Sequence, residues 1–197
     1  MKGLDEGARE RIEAFARPLD PDPAHSHQVA RLSLLLFDGL RGVHGLKGRD
    51  RPLLEAAALL HDVGWSRGGK GHHKHAYDLI RRGEDLPFPE GDRNLVAAVA
   101  RYHRKALPRA RHRAMRDLSP KDRRRVRWLA ALLRVADGLD VEHRGRVQGL
   151  RCRFRDGVPL LEVRSEEPPE AALRAADRKA DLFRRLHERN LVMRWKP

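Results

Sequence analysis

The stretch Leu53–Trp65, LLEAAALLHDVGW, decides the reading of this chain. The segment Asp50–Leu60 is short and strongly apolar, which suits a helix buried at the centre of a domain. A helix that buries Ala56, Leu59 and Leu60 carries the next two residues, His61 and Asp62, into the interior. An imidazole beside a carboxylate is costly to bury unless the two are paired or share a metal ion. Adjacent His and Asp side chains can chelate one cation where the helix frays.

Two further segments supply partners. His27 lies on the apolar-periodic stretch that runs from Val29 through Leu32, Leu36 and Leu40. Asp137 closes another apolar helix, LAALLRVADGLD (129–140). His27, the His61–Asp62 pair and Asp137, each on a separate core-facing helix, make a metal-ligand set of two imidazoles and two carboxylates. Such a set suits Mn, Fe, Ni, Zn or Co better than calcium. The competing reading is four unrelated residues: a capped histidine, a helix-end aspartate and two surface groups.

More histidines follow in GHHKHAYDLI (71–80) and VARYHRKALP (99–108). His75 and His103 fall at helix ends. If both point inward they hold a second metal beside the first, an arrangement common in phosphoester hydrolysis. The alternative leaves His72 and His73 on the surface, with His75 and His103 binding substrate phosphate. Cations gather in the same segments. Arg31, Lys70, His72, Lys74 and Arg104 are therefore the candidate substrate-binding groups, and Asp62, His75 and His103 the candidate catalytic residues.

Residues 1–145 read as helices and 146–197 as a small α/β appendage packed on them, together one structural unit of a mainly α fold. Asp22–Pro23 caps a helix reaching about Val43. His73–Arg82 ends at Gly83, Asn94–His103 is helical, and Ser119–Pro120 opens a long helix to about Val135. Gly64–Gly71 is a glycine-rich loop. Beyond Gly145, Arg146–Arg155 and Pro159–Ser165 alternate about the turn Asp156–Gly157, which predicts a hairpin. A helix from Pro168 to about Arg189 and a strand over Leu191–Trp195 complete the appendage, which is expected to carry no ligands.

Of 197 residues, 42 are Lys or Arg and 28 Asp or Glu, a net charge of +14. That charge attracts anions, including nucleic acid and polyphosphate, although 34 of the cations are Arg, a bias that genome composition or ion-pair networks also produce. One cysteine, Cys152, excludes an internal disulfide and a cysteine-based zinc finger. No stretch has the composition of a signal peptide or the ~20 apolar residues of a membrane span, so a cytoplasmic protein without a membrane partner is expected. Neither GxxxxGK[ST] nor GxGxxG occurs, and no serine has a histidine–aspartate relay.

The order His27, His61–Asp62, Asp137 resembles the HD superfamily of metal-dependent phosphohydrolases. RLSLLLFDGL (31–40), LLEAAALLHDVGW, GHHKHAYDLI, RYHRKALP and LLRVADGLD are most similar to the C-terminal HD-type domain of the exopolyphosphatase and guanosine-pentaphosphate phosphatase family, over roughly residues 15–195. The resemblance implies an HD-domain helical bundle with a C-terminal hairpin, helix and strand. It implies His27, His61, Asp62 and Asp137 as metal ligands, with His75 and His103 matching the extra histidines of two-metal members. In that family hydrolysis belongs to an actin-like ATPase-fold module, for which this chain has no room. Two functions follow: a metal-dependent phosphohydrolase acting on a nucleotide or other small phosphorylated substrate, or a metal-stabilised module that binds polyphosphate, RNA or a regulatory nucleotide without turnover. A homodimer is compatible with either.

Overall fold

The computed structural model describes residues 3–197. Helix α1 spans Glu6–Ala16 and α2 Pro23–Gly39. The Asp22 carboxylate accepts the His25 N–H at 3.1 Å, satisfying an amide that the first turn leaves free. The helix expected to reach Val43 stops at Gly39, and one turn, α3 (Arg41–His44), continues after Leu40. Helix α4, Arg51–Leu59, is the central element, with Leu54, Ala56, Ala57, Ala58 and Leu60 fully buried. Its buried carboxylate, Glu55, is held by the Arg9 guanidinium and by the Leu4 N–H, so it is left neither unpaired nor unbonded.

The glycine-rich loop opens with a 3-10 turn over Val63–Arg67. Helix α5 follows over His72–Arg82, one residue earlier than predicted, then α6 (Glu90–Arg101), the short α7 (Arg113–Arg116) and the long α8 (Pro120–Leu139). Helix α8 runs past Val135 and keeps Asp137 inside its last turn. Helices α2, α6 and α8 surround α4, and α1 covers its remaining side.

The C-terminal segment forms a sheet of order β1-β2-β3. Strands β1 (Gly149–Arg155) and β2 (Val158–Arg164) are antiparallel, with Cys152 opposite Leu161. Asp156 and Gly157 both have positive φ, the conformation of the tight turn their sequence announces. The predicted single helix is two, α9 (Glu170–Lys179) and α10 (Asp181–His187), and β3 (Val192–Lys196) returns parallel to β2. The break at Ala180 has a cause: the Asp181 carboxylate accepts the Leu182 N–H at 2.8 Å and pairs with Arg134 at 2.9 Å, starting a new helix. The sheet packs through β1 on α2, and α9 and α10 lie on α8. Leu161 and Val163 are fully buried, whereas Arg151, Arg153 and Arg155 face solvent. Among the described residues no helix is long and apolar enough to cross a membrane.

Candidate metal centre

The end of α4 places His61 and Asp62 in the interior, 0 % and 8 % exposed. The ring Nδ1 of His61 donates to the Ala58 carbonyl at 2.7 Å. A carbonyl can only accept, so Nδ1 carries the hydrogen and Nε2 keeps a lone pair. That Nε2 is buried and has no hydrogen-bond partner.

Three other histidines repeat the pattern. His103, at the end of α6, donates from Nδ1 to Ala100 O at 2.8 Å, and His72 donates to Gly69 O at 3.1 Å. In both, as in His61, the acceptor lies three residues earlier in the chain. His25 uses Nδ1 on the Asp140 carboxylate at 2.8 Å, and its Nε2 lies 3.7 Å from Oδ1 of Asp137. The Nε2 atoms of His61, His72 and His103 all turn toward Asp62, at 3.6 Å from Oδ2 and 3.4 and 3.8 Å from Oδ1 respectively. A histidine whose outer nitrogen is fixed by a carbonyl or carboxylate while the inner one faces carboxylates is arranged as metal ligands are. Two overlapping sets could hold a cation, His25–His61–Asp62 and Asp62–His72–His103, with ligand atoms of each within 4.8 Å of one another. Asp62 belongs to both.

Local sequence explains the convergence. A Cβ on Gly64 would stand 1.9 Å from the His72 carbonyl oxygen, so only glycine lets the 3-10 turn press against α5 and bring His72 beside Asp62. Trp65 then stacks on the His72 ring at 4.5 Å.

Electrostatics follow from burial and neighbours. Burial pushes His103 well below the usual histidine range and lowers His72 as well. Burial also opposes the charge on His25, but the carboxylates of Asp137 and Asp140 outweigh it and raise this histidine to about 9. For Asp137 burial opposes ionisation, yet Lys179, His25 and the other histidines hold its carboxyl well below the ordinary carboxylate value. The centre opens into a pocket of about 430 Å³ whose walls include Asp62, His72, Arg104, Lys105, His143 and Lys179.

Of the residues singled out in the sequence, His61, Asp62, His72, His103, Arg104 and Asp137 come together here. The structure does not bring His27 to them. Its ring is half exposed and lies 3.7 Å from the Glu13 carboxylate. Two residues along a helix turn about 200° around the axis, so His27 faces away where His25 faces in. A sequence signal for His25 exists: it shares a stripe with Val29, Leu32 and Leu36, all fully buried. His75 is likewise outside both sets, on the flank of α5, while His72 is buried above Ala76 and Ile80 rather than lying on the surface. Lys70 is exposed, and Lys74 lines a separate pocket with Tyr77 and Arg101. Arg31 spends its guanidinium on the carbonyls of Val147 and Gln148, tying α2 to the start of the hairpin. The C-terminal segment, expected to carry no ligands, touches the site through Lys179, which pairs with Asp137. Sequence reasoning missed His25, Asp140, His143 and Lys179. Asp140, one helical turn after Asp137, had a spacing signal; His143 and Lys179 had none.

A family model described as "Ppx/GppA phosphatase, domain III" matches residues 9–173. A relative from Pseudoalteromonas translucida (strain TAC 125), named guanosine-5'-triphosphate,3'-diphosphate pyrophosphatase, is 30% identical over 97 residues, covering 49% of this chain. The chain matches only 20% of that relative's length. With the helical body, the closing strands and the family match in agreement, this chain belongs to the Ppx/GppA phosphatase family, as its domain III.

Proposed function

We propose that this domain is a metal-dependent phosphohydrolase acting on a nucleotide or another small phosphorylated compound. The observation that carries the reading is the orphaned Nε2 of His61, buried without a hydrogen-bond partner within the His25–His61–Asp62 set. An unsatisfied buried nitrogen is expensive unless something absent from the protein chain completes it. The donor set fits a divalent transition metal: His25, His61, Asp62 and Asp137 would hold one ion, and Asp62, His72 and His103 face the place of a second. Mn, Fe, Ni, Zn and Co all suit imidazole and carboxylate together.

Such an ion supplies a water of lowered pKa and a positive field at the phosphoryl oxygens. The chain supplies the rest. Asp62 faces both histidine sets and is the carboxylate placed to orient a water and take its proton. Asp140 fixes the His25 ring and keeps its tautomer. Arg104, with Nη1 3.3 Å from His72, presents positive charge on the pocket wall for a phosphate. The relative's printed name places a guanosine polyphosphate first among the compounds to try.

Metal analysis of the purified protein, together with a panel of nucleotides and phosphoesters, tests the reading. Near-stoichiometric transition metal and turnover of one class are expected, both lost in His61→Ala and Asp62→Ala. Metal occupancy unchanged in both variants would refute the assignment. Metal without turnover of any compound would favour the binding-module alternative.

A further inference from the structure

Three features hold the end of α9 against the last turns of α8, beside Asp137. The first is the pair between the Lys179 ammonium, at the end of α9, and Oδ2 of Asp137. Oδ1 of the same carboxylate is the oxygen turned to His25. The second is Gly138, next to Asp137: a Cβ there would meet Ala176 Cα at 2.6 Å, so α8 and α9 touch backbone to backbone beside the ligand. The third is Arg134, a buried cation, 4 % exposed. Its guanidinium reaches the Lys179 carbonyl at 3.3 Å, the Tyr102 carbonyl at 3.2 Å and Asp181 at 2.9 Å. Burying a charge is costly, and this one is committed to fixing the main chain of Lys179 against the residue preceding His103.

We propose that Lys179 is a phosphate-binding residue of this site, supplied by the C-terminal segment. An ammonium has three donors. Asp137 occupies one and aims the group, and the side chain lines the same pocket as Arg104 and Lys105. The remaining donors then meet an oxygen of a phosphoryl group seated over the ligand sets. The pocket is cationic on two sides: Arg104 and Lys105 follow α6, and Lys179 closes α9. A phosphoryl group lying between them is gripped from both, which neither side achieves alone. The inference deepens the phosphohydrolase reading and rests on it for the choice of ligand.

The test is calorimetric titration of the full chain with inorganic phosphate, with and without Mn²⁺, for the wild type, Lys179→Met, Lys179→Gln and Lys179→Arg. Expected is a loss of phosphate affinity of about tenfold or more in Lys179→Met and Lys179→Gln, the size of one charge-assisted contact, with most of it restored in Lys179→Arg. Mn²⁺ affinity should not fall in the neutral variants, because a cation has left the neighbourhood of Asp137. Unchanged phosphate affinity in both neutral variants overturns the proposal, as does a wild type that binds no phosphate, or a loss that tracks loss of Mn²⁺. A wild type that binds no Mn²⁺ refutes the metal reading instead, and the metal-free phosphate titrations still decide for or against Lys179.

Discussion

The Nε2 atoms of His72 and His103 lie 3.3 Å apart. Each ring has its Nδ1 hydrogen engaged by a main-chain carbonyl, so two lone pairs face each other across that gap. Two acceptors at this distance repel unless a proton or a cation stands between or beside them. Arg104 relieves this in part by presenting Nη1 to His72, but His103 is buried and held neutral. The facing lone pairs carry an electrostatic cost that a divalent ion, bound as proposed, would remove. Adding Mn²⁺ at about 100 times its Kd should stabilise the protein by about 2.7 kcal/mol, which for a chain of this size raises Tm by about 5–10 °C. Thermal melting with and without the ion checks this; an unchanged Tm would count against both ligand sets.

The placement of α2 predicts an asymmetry between two neighbouring histidines. His25→Ala should lower metal content and activity severely, while His27→Ala should leave both near wild type. Replacing even the outer partner that orients a metal ligand typically costs 10- to 100-fold in affinity or activity, and His25 would be the ligand itself. Metal analysis of the two variants is sufficient, and a metal-free His27→Ala protein would overturn the placement.

Metal uptake should release a proton. In the metal-free protein His25 titrates at about 9, because Asp137 and Asp140 favour its charged form over the burial that opposes it. At pH 7.5 it is therefore protonated, whereas a ligand must be neutral. Below about pH 9 the apparent affinity should fall about tenfold per pH unit from this group alone. The sign for stability is opposite in the metal-free state. A raised folded-state pKa stabilises fully below the ordinary histidine value of about 6.5, and this contribution is lost as pH rises through 9. Calorimetry in buffers of different ionisation enthalpy would count the proton.

Gly64→Ala should damage the centre without replacing a ligand side chain. The new methyl would lie 1.9 Å from the His72 carbonyl, so α5 must move away. Overpacking of this kind costs about 1–3 kcal/mol. The Asp62–His72–His103 set should be lost before His25–His61–Asp62, seen as a partial drop in metal content. Full metal occupancy with wild-type stability would show that the close approach is dispensable.

Much of this was legible in the chain. The Asp22–Pro23 and Ser119–Pro120 starts hold, because capping is a contact between residues three apart and needs no tertiary partner. The Asp156–Gly157 hairpin was equally local. The break between α9 and α10 was not, since it depends on Arg134, 47 positions from Asp181 in sequence. His27 misses the centre by helical phase: His25 is in register with Val29, Leu32 and Leu36 on the apolar stripe of α2, and a residue two positions along turns to the other side.

By itself the sequence determined the helical body, the closing hairpin and the presence of a buried His61–Asp62 pair, since apolar periodicity and caps are properties of neighbouring residues. Tertiary structure decided which histidines join that pair and that Lys179 joins Asp137. Those choices depend on how far helices rotate and how closely they approach. Glycines at 64 and 138 permit backbone contacts that no spacing along the chain reveals.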